Sequence, residues 1–286
     1  MIEPEFLKNL QRFHLALKKN STEIKQGEQK SAYSGQGMIF KDHKEYSPGD
    51  DIRRIDWKAY ARTKDFYVKR FDEEKNVTVH IIVDRSSSMA FGEQESKYDY
   101  GAKIGLGLAY MTNRTNDRFR FSVFSETLTD LTSARRNGNL VNLLDTLNEL
   151  RNTPESEVEK CITQYSSRIE NKSVVIIISD FLTDIEEIKS GLQSLEDSQV
   201  ILVNVFDTEE LDPSMKGDTI LEDPESSSTL RAYLSRKTKK DYKSKLQRHV
   251  EEIEEACDRH KADYRMVSTG EDFFETFIDV WESVNQ

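Results

Sequence analysis

The chain has 286 residues, 36% hydrophobic and 33% charged, with a formal net charge of −11 at pH 7. That length suits one large α/β domain, alone or with a smaller appendage. The acidic balance argues against a general nucleic-acid binder, and no apolar run approaches the roughly 18 residues of a membrane helix, so no direct membrane insertion is expected.

In chain order, residues 5–19 read as a helix, with Phe6, Leu7, Leu10, Phe13, Leu15 and Leu17 on about one side. A Gly-, Ser- and Lys-containing stretch follows to about Gln36. Between Met38 and Arg70, strand-like pieces ("GMIF", "DFYVKRF") flank a dense block of both charge signs. From Val77 the pattern becomes regular. "VTVHIIVD" reads as a strand, and "KYDYGAKIGLGLAYMTNRT" as a helix with Ile104, Leu108 and Met111 on one face. "DRFRFSVFS" is a strand, and "LVNLLDTLNEL" and "SEVEKCITQYSSRI" are helices. "SVVIIISD" is a strand, "DIEEIKSGLQSLED" a helix and "QVILVNVFD" a strand. Residues 218–234 look like a hairpin. A long helix then repeats Tyr242, Leu246, Val250, Ile253 and Cys257 at three- and four-residue steps. "DYRMVS" is a strand and "EDFFETFIDVWESV" a closing helix.

"VVIII" and "VILVNV" are apolar on both faces, which places them in a parallel sheet covered by helices on each side. The alternation predicts an α/β fold, doubly wound and mostly parallel, with a mixed N-terminal extension (residues 1–75), an α/β domain (residues 76–286) and a small β-hairpin insertion. Cys161 and Cys257 have no CxxC spacing, which fits a reducing compartment. The first residues lack the apolar core of a signal peptide, so a cytoplasmic location is expected.

The stretch "HIIVDRSSSMAFG" ends an apolar strand in Asp84 and follows it with Ser86 and Ser88. In an open parallel sheet, ligands bind at the carboxyl ends of strands near the switch point. "VVIIISDFLTD" places Asp180 at a second such end. Two aspartates and loop hydroxyls suit a hard divalent cation, Mg²⁺ or Mn²⁺, which prefers oxygen ligands. Two carboxylates would balance its charge and leave it attractive to a carboxylate from outside. The same residues are also ordinary helix caps and turn formers. An aspartyl-phosphate nucleophile would want a second Asp where Ser86 stands, and nucleophile-elbow, P-loop and HExxH motifs are absent.

The D-x-S-x-S motif and the later Asp-ended strand resemble the von Willebrand factor type A domain with its metal-ion-dependent adhesion site. Upstream, "EYSPGDDIRRIDWKAYARTKDFYVKRFDEEKNVTVHIIVDRSSSM" closely resembles the signature of the bacterial domain-of-unknown-function family numbered fifty-eight, over about residues 30 to 270. The resemblance implies that Asp84, Ser86 and Ser88 form the first metal loop and Asp180 the third. For the second loop it implies a threonine-like hydroxyl, with Thr153 and Ser156 as equal candidates. Ser87 stands where the family commonly has glycine. Members of that family often sit beside MoxR-type AAA+ ATPases. The resemblance thus implies a non-enzymatic protein-binding module that acts with such an ATPase in assembly or maturation of another protein. A metal-free scaffold and a metal-dependent phosphohydrolase are the alternatives.

The signature residues Tyr46, Gly49, Asp50, Asp51, Arg53, Asp56, Trp57 and Arg62 are either a docking surface or a structural network. In the structural reading, Arg–carboxylate pairs hold the segment and Trp57 is a packed anchor. The basic run "LRAYLSRKTKKDYKSKLQRH" reads as a solvated helix face or a patch for an acidic partner. His80 is expected to be a packed core residue. Gly101, Gly105 and Gly107 fall inside a helix, where close packing on the sheet explains them better than a dinucleotide site.

Overall fold

A computed structural model of the chain describes residues 1–24, 38–73, 77–92, 94–115, 117–132, 139–153, 157–169, 173–214, 217–222 and 229–284. Side chains at 19–41, 54, 70–73 and 215–234 fall outside the description, as does all of Ser156. Met1–Lys19 and Val77–Gln286 form one compact unit, and Asn20–Asn76 forms a second.

The larger unit is built on a six-stranded sheet. Its strands are β3 (Thr78–Asp84), β4 (Arg118–Phe124), β5 (Thr129–Asp130), β6 (Ser173–Ser179), β7 (Gln199–Phe206) and β10 (Asp263–Ser268), in the order β10-β7-β6-β3-β4-β5. All neighbours run parallel except the short edge strand β5. The period-two alternation of each strand sends its side chains to two separate cores. Val79, Ile81, Val83, Ile176, Ile178, Val203 and Val205 pack on one face against α1 (Glu5–Ile24), α3 (Lys97–Arg114), α4 (Leu140–Glu149) and α9 (Phe273–Val284). Ile82, Val175, Ile177, Val200 and Leu202 pack on the other against α5 (Val158–Ser166), α6 (Ile185–Gln193) and α8 (Arg236–His260). Each fully buried Ile or Val contributes about 1.5–3 kcal/mol by removal from water. The doubly wound expectation therefore holds. The hairpin is present as β8 (Gly217–Glu222) paired antiparallel with β9 (Thr229–Leu234).

Helix α3 lies close on the sheet because its glycines allow it. A Cβ at Gly105 would stand 2.9 Å from the Phe121 ring, and one at Gly101 2.9 Å from Ile178. At Gly107 it would stand 2.7 Å from Phe277 of α9. His80 is buried, with Nδ1 2.8 Å from the Tyr165 hydroxyl, as a core residue should be. Burial, aided by Arg120, pulls its pKa from 6.5 down to about 4. Cys161 and Cys257 are free thiols in the α5–α6–α8 core, and burial first of all raises them to about 11 and about 12.

Three details depart from expectation. Residues 1–75 do not act as one piece: Ile2 and Leu10 are buried in the core of the larger unit, so the first helix packs there. Leu15 is exposed, because the apolar side of α1 is narrower than its composition suggests. Along α8 only the stretch around Ile253, Ala256 and Cys257 is buried, while Tyr242 is exposed.

The Asn20–Asn76 unit pairs β1 (Met38–Glu45) with β2 (Tyr67–Glu73) antiparallel. Between them, Asp51 caps a tight turn at Ile52–Arg54, and Asp56 caps a helix, α2 (Trp57–Thr63). Seven residues are too few to show a helical period, so α2 is not readable from apolar spacing. It is set by Asp56, which accepts from the Lys58 and Ala59 amides, and closed by Lys64 in the left-handed conformation (φ 69°). The packed-anchor expectation for Trp57 fails. The indole is 58% exposed, since α2 buries Ala59 and turns Trp57 outward.

Candidate metal centre

The chain enters the sheet at β3, moves out to β4 and β5, then crosses back to β6 on the other side of β3. The carboxyl ends of β3 and β6 are therefore the switch point, and they carry Asp84 and Asp180. Both are buried.

Asp84 is held from two sides. Oδ1 accepts from the Ser86 amide at 2.8 Å, and Oδ2 from the Ser179 hydroxyl at 2.7 Å. Burial, then the charge of Asp180, push its pKa up to about 6 against those hydrogen bonds. Ser86 is also buried, and its Oγ lies 3.0 Å from Ser88 Oγ. The second loop reaches the first through its backbone. The Thr153 amide donates to the Arg85 carbonyl at 3.1 Å, Ser86 and Thr153 form a parallel bridge, and Asn152 Nδ2 donates to the Ser86 carbonyl at 2.7 Å. Among the described residues, Thr153 Oγ1 is buried with no hydrogen-bond partner.

Asp180 carries the largest surprise. Its Oδ2 accepts from Lys97 Nζ at 2.7 Å, and the same ammonium donates to Glu210 Oε1 at 2.7 Å. Lys97 is 0% exposed. Burial opposes both charges. On Lys97 it is outweighed by Asp180 and Glu210, which raise the ammonium pKa, whereas burial still raises that of Glu210. Glu210 belongs to the short helix α7 (Thr208–Leu211) and closes its capping box by accepting from the Asp207 amide. After Asp180, Phe181 adopts φ 49°, and His249 Nε2 of α8 lies 2.8 Å from its carbonyl. A buried aromatic residue in that conformation costs about 1–2 kcal/mol, which the surroundings must offset.

Sequence reasoning named Asp84, Ser86, Ser88 and Asp180, with Thr153 and Ser156 as equal candidates for the second loop. The structure places the first four and Thr153 at one end of the sheet, and Ser156 lies outside the described residues. Sequence reasoning missed Lys97, Glu210 and His249. One signal was available for Lys97: a lysine in the first turn of a helix opposes the helix dipole and so asks for a compensating acid. The other signature residues belong to the Asn20–Asn76 unit. Asp50 accepts from Ser47 and Lys44, Asp51 pairs with the exposed Arg53, and Asp56 bonds His43 at 2.9 Å. His43 first, then the Ala59 and Lys58 amides, hold the Asp56 carboxyl well below its ordinary range. Gly49 sits at φ 110°, Tyr46 packs edge-on to Phe66, and Arg62 is exposed.

The oxygens at the switch point are carboxylates and hydroxyls, the kind a small divalent cation takes, but Asp180 Oδ2 is already held by the Lys97 ammonium. Thr153 Oγ1 is, among the described residues, one of several buried polar atoms without a partner. Among the described residues no three His, Cys, Asp or Glu gather at one point, so such a set depends on its hydroxyls. Also among the described residues, no helix is long and apolar enough to cross a membrane.

Residues 42–252 match the family described as "Protein of unknown function DUF58". The chain is 22% identical over 229 residues to the uncharacterized protein Rv1480 of Mycobacterium tuberculosis, covering 78% of this chain and 72% of that one. Among solved structures it is similar to the conserved hypothetical protein BatB from Bacteroides thetaiotaomicron (13% identity, TM-score 0.47, 73% of this chain and all 100% of that one). It is also similar to the SpRpn10 VWA domain (9% identity, TM-score 0.45, 71% and 94%). The mostly parallel sheet and the DRSSS loop at the end of β3 agree with the fold class read from the sequence. With the family match spanning most of its length, the chain belongs to the DUF58 family of proteins of unknown function.

Proposed function

We propose that the carboxyl edge of the sheet is a divalent-cation-dependent docking site for a protein partner. Asp84, Ser86, Ser88, Thr153 and Asp180 would hold Mg²⁺, or Mn²⁺ in its place. The observation that carries this reading is that two buried carboxylates, Asp84 and Asp180, end adjacent strands beside the Ser86 and Ser88 hydroxyls, with Thr153 bridged to Ser86 and its Oγ1 without a partner among the described residues. A bound cation supplies an open position for a carboxylate of the partner. The chain's own part is to fix Asp84 through Ser179 and the Ser86 amide, and to fix Asp180 through Lys97.

On this reading the protein is a non-enzymatic, cytoplasmic module. Its family resemblance supports a MoxR-type AAA+ ATPase, or that ATPase's client, as the partner. The test is a Mn²⁺ titration followed by water-proton relaxation. Saturable binding is expected in the wild type and not in Asp84→Ala. Equal titrations of the two folded proteins would refute the site.

A second reading is favoured by Lys97. Its ammonium already gives Asp180 a positive partner at 2.7 Å, so the edge could dock a partner without metal. That reading expects partner binding to be unaffected by EDTA, and loss of binding on chelation would remove it.

A further inference from the structure

A different surface stands out in the Asn20–Asn76 unit. Trp57 is 58% exposed and Phe66 43% exposed. They are not loose side chains. Tyr60 stacks on Phe66 with centroids 4.5 Å apart, and Trp57 stands edge-on to both at 6.3 and 6.5 Å. The rings therefore form a preordered platform that water wets and the unit's own packing does not use. Exposed, rigid aromatic clusters of this kind mark interaction sites, where Trp, Tyr and Arg concentrate binding energy.

The charges beside the platform indicate the partner. Helix α2 holds Lys58 and Arg62 at i and i+4, next to the Trp57–Tyr60 stripe, and contains no acid. Lys58 and Arg62 are exposed and, among the described residues, form no ion pair. Lys64 Nζ lies 5.9 Å from the Tyr60 ring centroid. Of the nearby acids, Asp50 is engaged by Lys44, Asp51 by Arg53, and Asp56 by His43 and Lys69. Asp65, between Lys64 and Phe66, is exposed and, among the described residues, forms no ion pair, so the rim sets three cations against that one acid. Residues 20–76 hold 12 Lys and Arg against 11 Asp and Glu, in a chain whose net charge is −11. The basic rim thus belongs to the one unit that is not acidic.

We propose that Trp57, Tyr60 and Phe66, rimmed by Lys58, Arg62 and Lys64, dock an acidic protein segment that carries a leucine or aromatic anchor. The apolar anchor would lie on the rings, and its flanking carboxylates would meet the three cations. This surface uses none of the residues proposed to hold the cation and predicts binding that chelators do not affect.

The test uses the full chain and three synthetic peptides: EDLFEEL, its basic counterpart KRLFKKL and its anchor-free counterpart EDSSEES. Trp57 fluorescence is taken as the difference between wild type and Trp57→Phe, which leaves Trp281 as the common background. EDLFEEL is expected to change that signal saturably. Charge reversal in a Lys58→Glu, Arg62→Glu variant should weaken it at least tenfold and admit KRLFKKL instead. These exposed substitutions should leave thermal unfolding unchanged.

No saturable change overturns the proposal, as does an equal response to KRLFKKL or EDSSEES. Acrylamide protection of Trp57 typical of a buried indole also overturns it. So does a concentration-dependent dimer that Trp57→Ala abolishes, because the surface would then be a face between two copies of the chain.

Discussion

Lys97 and Asp180 lie 2.7 Å apart in full burial, and the lysine's second bond, to Glu210, joins the carboxyl end of β6 to α7. Removing one partner of a buried ion pair leaves uncompensated charge. Lys97→Met keeps the side-chain length and deletes the cation, so it should cost about 3–5 kcal/mol of stability. With the positive charge gone, Mg²⁺ should stabilise the variant more than the wild type. Thermal unfolding with and without Mg²⁺ checks both points, and a melting temperature equal to wild type would contradict the first.

Asp84 sets the expected pH dependence of metal binding. Burial and Asp180 raise its carboxyl to about 6, so protons compete with the cation below that pH. Apparent Mn²⁺ affinity should fall about tenfold per unit as pH drops from 6. An affinity that does not change between pH 7 and pH 5 would exclude Asp84 as a ligand.

Thr153→Val separates a ligand from a structural hydroxyl. Among the described residues the wild-type Oγ1 is buried without a partner, so the isosteric methyl loses no hydrogen bond to them. Stability should change by less than about 0.5 kcal/mol or rise, since a buried unsatisfied polar atom is removed. Mn²⁺ affinity should fall all the same. A large loss of stability would mean that the hydroxyl has an internal partner.

His80 should make the fold sensitive to acid. Its pKa is about 4 in the folded chain and 6.5 when exposed, so below pH 6.5 the unfolded chain takes up the proton first. The contribution is intact above 6.5 and is lost as pH falls toward 4, amounting to about 2 kcal/mol between pH 7 and pH 5. Asp84 acts in the opposite sense, because its raised carboxyl adds stability as pH falls from 6. The quantity to read is therefore the difference between wild type and His80→Gln in urea unfolding, where Asp84 cancels. Parallel pH curves would show that His80 is solvated.

Gly105→Ala reverses the usual rule for helices. An exposed Gly-to-Ala change gains about 1 kcal/mol. Here the new methyl would stand 2.9 Å from two Phe121 ring atoms and 3.1 Å from Ile81. Overpacking of this kind costs about 1–3 kcal/mol, so urea midpoints should fall. A stabilised variant would mean that α3 can lift from the sheet at little cost.

Most of the fold was legible because it is written in periodicity. The apolar blocks of β6 and β7 name a sheet covered on both faces, whereas the single face read for α3 from Ile104, Leu108 and Met111 was too narrow, since every residue from Ile104 to Thr112 is buried. Asp84, Ser86 and Ser88 were legible because they follow one another in a loop. Thr153 stayed level with Ser156, since only the backbone bridge to Ser86 singles it out. Lys97 and Glu210 were not legible as a pair. They are 113 positions apart, and their meeting depends on β6 and β7 lying side by side. Helix α2 was hidden for the opposite reason: it rests on one capping side chain, Asp56, and has no period to read.

The two cysteines also have a practical consequence. With thiols raised to about 11 and about 12, less than about one molecule in a thousand carries a thiolate at neutral pH, and both sulfurs are covered by helices. The folded wild-type chain is therefore already a silent background for thiol chemistry. A single cysteine introduced beside Trp57 or in the DRSSS loop would be the one that a spin label, fluorophore or crosslinker finds. Both surfaces can thus be probed separately in a chain with its native cysteines intact.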